Sequence, residues 1–68
     1  MALLDARGLS CPEPVIMIRK AMGSKADKYE MVVDNTTSKE NVTRYAQHQG
    51  YQVAVTENNG EFTLVMTK

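Results

Sequence analysis

In these 68 residues eight lysines and arginines offset eight aspartates and glutamates, so net charge supplies no non-specific pull toward nucleic acid or anionic lipid. A single cysteine excludes an internal disulfide, a Cys-x-x-Cys redox pair and a cysteine-rich metal site. The length implies one small domain over residues 1–68, either free-standing or the N-terminal domain of a longer protein. Such a domain buries only about 60% of the surface its unfolded chain exposes.

Met1 to Leu4 is a short apolar start suited to an edge strand. Asp5 and Arg7 interrupt it, leaving nothing that reads as a signal peptide or membrane span; the expected setting is cytoplasmic and reducing. Arg7-Gly8 gives a loop. From Pro12 to Met22 the pattern is helical, with Val15, Ile18, Ala21 and Met22 on one face. Arg19 and Lys20 occupy the last turn, where cations suit the helix dipole, and Gly23 is the stop. Lys28 to Asp34 predicts a strand, with Tyr29, Met31 and Val33 alternating against Glu30, Val32 and Asp34.

Thr37-Ser38-Lys39-Glu40 has the form of a capping box and opens a helix running to about Gln49, with Val42, Tyr45 and Ala46 inward and Gly50 at its end. Two strands close the chain. Tyr51, Val53 and Val55 alternate with Gln52, Ala54 and Thr56; Phe62, Leu64 and Met66 alternate with Glu61, Thr63, Val65 and Thr67. Asn58-Asn59-Gly60 between them suits a type I′ hairpin. The order β-α-β-α-β-β predicts an α+β, two-layer α/β sandwich with a mixed four-stranded sheet. Each β-α-β crossover should make parallel neighbours and the hairpin an antiparallel pair. Because the strands alternate, one sheet face carries both helices and the other mostly meets water.

The chemistry concentrates in Gly8-Leu9-Ser10-Cys11-Pro12-Glu13-Pro14-Val15-Ile16. Pro12 fits the first helical turn, where a missing N–H costs nothing, and it pushes Cys11 toward the extended backbone of an N-cap. The thiol then faces the positive end of a helix dipole, where a thiolate is stabilised. Pro12 and Pro14 remove donors, and Glu13 opposes ionisation unless it serves a Ser10-x-x-Glu13 capping box; Arg7 offsets it. The balance is a moderately activated thiol. A drop of about one pKa unit would raise its thiolate fraction at pH 7 from roughly 3% to roughly a quarter.

Asp5 and Arg7 read either as a local ion pair or as a catalytic pair. His48, between Gln47 and Gln49, reads as a surface residue, and with one cysteine it makes no zinc site. Ile16 points well away from the Val15/Ile18/Met22 face. Beside Glu13 and Lys20 and about a turn from the thiol, Ile16 and Lys20 form a candidate docking patch. A lone reactive cysteine suits sulfur carriage, since a resolving thiol would expel the sulfur and leave a disulfide.

Asp5-x-Arg7-Gly8-Leu9-x-Cys11-Pro12-x-Pro14 resembles the signature of the TusA/SirA/YedF family of small sulfur-carrier proteins, which share a β-α-β-α-β-β sandwich. The resemblance implies that Cys11 takes sulfane sulfur from a donor such as a cysteine desulfurase, holds it as a persulfide and passes it to an acceptor protein. On this reading the chain is a sulfurtransferase that needs neither cofactor nor metal. The family's paired prolines match Pro12 and Pro14. Val33-Asp34-Asn35, Lys39-Glu40-Asn41-Val42 and Gln49-Gly50-Tyr51 are similar to the YedF branch, which is linked to selenium metabolism and often carries a second domain. Two other classes compete: a thiol-based redox or regulatory protein, and a small RNA- or protein-binding module. Against nucleic acid stand the neutral charge, the absence of tryptophan, and aromatics limited to three tyrosines and one phenylalanine with no evident stacking platform.

Overall fold

The computed structural model describes residues 2–10, 12–24 and 26–68. Alternation and helical periodicity become β1 (Ala2–Asp5), α1 (Glu13–Met22), β2 (Lys28–Val33), α2 (Thr36–His48), β3 (Gln52–Asn58) and β4 (Glu61–Thr67). The strands form one mixed sheet in the order β1-β2-β4-β3. β1 runs parallel to β2, and β4 is antiparallel to both β2 and β3. The two helices cover one face, as the alternation implies.

One neighbour relation differs from the sequence expectation. β2 and β3 are parallel but not adjacent, because β4 lies between them. Burial explains the placement. Leu64 and Met66 of β4 are fully buried, and a central strand shields them with Met31 and Tyr29 on one side and Val55 and Val53 on the other. β3 is exposed at Gln52 and from Ala54 to Asn58, a polar strand suited to an edge. With a neighbour on one side only, Val55 stays 43% exposed rather than turning fully inward.

The core joins Ala6, Ile18, Tyr29, Met31, Val33, Val42, Ala46, Tyr51, Leu64 and Met66. Two tyrosines also fix the connector between α1 and β2. The Tyr29 hydroxyl donates to the Ala21 carbonyl at 2.8 Å and accepts from the Ala26 N–H at 2.9 Å. The Tyr51 hydroxyl donates to the Ala26 carbonyl at 2.8 Å. Each ring is thus buried while its polar end is paired.

Both helix starts shift from their expected caps. The Pro12 carbonyl accepts from the Ile16 N–H at 3.0 Å, which makes Pro12 the N-cap of α1 and Glu13 its first residue. Glu13 therefore cannot be the third-position acid of a Ser10 capping box; its N–H instead meets the Ser10 carbonyl at 2.9 Å, and among the described residues no side chain caps this helix. At α2 the cap is Asn35, whose extended backbone (φ −150°, ψ 155°) lets its side chain accept from the Ser38 N–H at 2.7 Å. Asparagine caps at least as well as threonine, and Thr36 and Thr37 enter the first turn.

α2 ends as Gly50 predicts. Gly50 sits at φ 90°, Tyr51 N–H bonds the Ala46 carbonyl and Gly50 N–H the Gln47 carbonyl, the two bonds of a Schellman stop. In the β3–β4 turn Asn59 and Gly60 take φ 54° and 82°, the pair of positive values a type I′ turn requires.

Candidate functional site

The segment between β1 and α1 is pinned from several directions. Buried Ala6 donates its N–H to the Val32 carbonyl at 2.9 Å. Gly8, at φ 78°, turns its N–H to Asp34 Oδ2 at 2.7 Å. The neighbouring Asn35 donates Nδ2–H to Asp34 Oδ1 at 3.3 Å while its own Oδ1 caps α2. The loop leading to position 11 is therefore tied to the end of β2 and, through it, to the start of α2.

Asp5 and Arg7 form a local clamp. Arg7 Nε and Nη2 meet Asp5 Oδ1 and Oδ2 at 3.0 and 2.9 Å, and the Arg7 backbone N–H adds a bond to Oδ1 at 3.1 Å. Arg7 Nη1 also reaches Glu61 Oε2 at 3.4 Å. The Arg7 side-chain bonds, then its backbone N–H, hold the Asp5 carboxyl down at about 2, and the same pairing raises the guanidinium above its ordinary value. Asp5 is thus ionised at neutral pH and has no proton to give. Arg7, expected to offset Glu13, instead spends its charge on Asp5 and Glu61.

Cys11 lies outside the described residues. Its two neighbours are placed: Ser10 accepts from Glu13, and Pro12 caps α1. Along α1, Pro14 is buried, while Glu13 and Lys20 are exposed. Ile16 stands apart from the core cluster, as the helical angle predicts, but it is half-buried rather than exposed. On the helix surface Pro12, Glu13, Arg19 and Lys20 flank it at three- and four-residue spacing.

Sequence reasoning did not find the concavity beside this segment. A groove of about 390 Å³ runs between the two helices, lined by Pro12, Val15, Asn41, Arg44, Tyr45 and His48. His48 is exposed, as expected, yet it borders this groove. Asn41, Tyr45 and His48 repeat at four and three residues, and Arg44 precedes His48 by four, so one ridge of α2 carries them all. That spacing was the available signal; only the packing of α1 against α2 turns the ridge into a groove wall. Asp34 was likewise visible only as a strand residue, since its partner Gly8 is 26 residues away.

A family model described as Sulfurtransferase TusA matches residues 2–68. The "Putative sulfur carrier protein MJ0990" of Methanocaldococcus jannaschii is 34% identical over 71 residues, spanning 100% of this chain and 95% of that protein. The crystal structure of a SirA-like protein from Desulfitobacterium hafniense superposes with a TM-score of 0.90 at 31% identity, covering 98% of this chain and 96% of that one.

Proposed function

Because the chain belongs to the TusA family of sulfurtransferases, we propose that it is a sulfur carrier that accepts sulfane sulfur on Cys11 as a persulfide and relays it to an acceptor protein. The observation carrying this reading is the family match across residues 2–68 in a chain whose only thiol is Cys11. The Cys11 thiolate attacks the outer sulfur of a donor persulfide, such as that of a cysteine desulfurase. The donor's sulfur–sulfur bond breaks and its cysteine leaves as thiolate. An acceptor nucleophile then takes the outer sulfur and Cys11 returns as thiolate, so neither step needs an external oxidant or reductant. With no second cysteine in the chain, nothing within it converts the persulfide to a disulfide.

The supporting residues divide the work. Asp5, Arg7 and Gly8 hold the preceding loop, and Pro12, Glu13 and Pro14 cap and begin the helix that follows Cys11 in the sequence. Ile16 and Lys20 form a docking patch for donor or acceptor. The stretch from Val33 to Tyr51 that is similar to the YedF branch makes selenium a second element to offer.

Intact mass spectrometry after incubation with a cysteine desulfurase and cysteine tests the reading. The expected result is a gain of one sulfur atom that Cys11→Ser abolishes; an unchanged wild-type mass overturns it. In the same assay Ile16→Glu should slow charging while alkylation by iodoacetamide keeps its rate, and equal charging removes the patch.

A further inference from the structure

We infer that the groove between α1 and α2 is a subsite for a low-molecular-weight persulfide bearing a carboxylate, so that the carrier is charged by a small molecule without a protein donor. The inference rests on the sulfur-carrier reading and names a substrate class for it. Its volume of about 390 Å³ falls near the lower end of small-molecule sites, roughly 300–1,000 Å³. Pro12, Val15 and the Tyr45 ring supply apolar surface for a carbon stem, and the ionisable rim is Arg44 and His48 with no carboxylate among the lining residues.

Arg44 is suited to hold the acid. The ion pairs among the described residues join Arg7 to Asp5 and Glu61, and Lys28 to Glu30; none involves Arg44. Its Nη2 donates to Asn41 Oδ1 at 2.5 Å, which steadies the guanidinium on the groove wall and, among the described residues, pairs one of its five N–H groups. A planar guanidinium fork matches a carboxylate with two parallel bonds. Pro12, on the groove wall, is the residue that follows Cys11 in the sequence.

The step balances. The Cys11 thiolate attacks the terminal sulfur of R–S–SH, a sulfur–sulfur bond to Cys11 forms, and the old one breaks with its electron pair on R–S⁻. The proton stays on the transferred sulfur, giving Cys11–S–SH and the small thiolate.

The probe is cysteine persulfide, offered with no protein donor, against its methyl ester, which lacks the carboxylate. Mass spectrometry follows the rate of sulfur gain. Wild type should charge about tenfold faster with the acid than with the ester, a difference of about 1.4 kcal/mol. Arg44→Ala should lose that preference and Arg44→Lys recover only part of it, with iodoacetamide alkylation of Cys11 setting the baseline for each variant. Equal rates for acid and ester in wild type, or an unchanged preference in Arg44→Ala, overturn the inference. If desulfurase charges wild type while cysteine persulfide shows no preference, the groove proposal fails alone; if neither charges it, the carrier reading fails with it.

Discussion

At the scale of single residues, the Asp5–Arg7 clamp shows how local electrostatics can hold a loop. Both side chains are about half exposed, so solvent screens the pair and its contribution to global stability is small. Its effect is on the loop, which it closes across two residues. The Asp5 carboxyl should titrate near 2 rather than 3.8. Because the folded value is the lower one, the pair's contribution is fully present above about pH 4. It is lost as pH falls toward 2, where the folded carboxylate takes up its proton. Replacing Arg7 by glutamine should return the midpoint to the ordinary carboxylate range, read by NMR titration of the side-chain carboxyl. A midpoint that stays near 2 in Arg7→Gln would show that another group holds it. The motif spacing made this pair legible as two opposite charges near a turn. It did not show that Arg7 also reaches Glu61, 54 residues on, because that contact depends on β2 pairing with both β1 and β4, which brings the start of β4 to the same end of the sheet as the end of β1.

Among the elements, α2 depends most on one terminal residue. Asn35 caps it and at the same time bonds Asp34, the residue that holds the Gly8 N–H. Asn35→Ala should cost about 1 kcal/mol and also speed hydrogen exchange at the Gly8 amide, whereas a mere loss of helix propensity would leave Gly8 unchanged. Urea denaturation and amide exchange on the same sample separate the two. The Thr37-x-x-Glu40 pattern drew attention two residues too far along, because a sequence containing Asn35, Thr36, Thr37 and Ser38 offers several possible caps and only the backbone selects one. The stop of α2 and the β3–β4 hairpin gave less room for choice. At Gly50 and at Asn59-Gly60 the required positive φ values restrict which residues fit, and both were correctly placed from sequence.

Over the whole molecule, what the alternating pattern encodes is which face of each strand is buried, and Tyr29, Met31, Val33, Leu64 and Met66 are all in the core as that pattern requires. Alternation carries no information about which strand lies beside which. The exchange of β3 and β4 relative to the simplest crossover follows from comparative burial, and mutation can read that asymmetry. Leu64 and Val55 are register partners across β3 and β4, yet Leu64 is fully buried and Val55 is 43% exposed. Leu64→Ala should cost about 2–5 kcal/mol. The total stability of a domain this size is roughly 3–10 kcal/mol, so the variant should lose a large fraction of it and unfold at a markedly lower denaturant concentration. Val55→Ala removes less surface from a site already open to water and should cost under about 1 kcal/mol. Denaturant midpoints of the two variants provide the comparison. Equal losses would mean that β3 is covered as thoroughly as β4, and the central position of β4 would then be wrong.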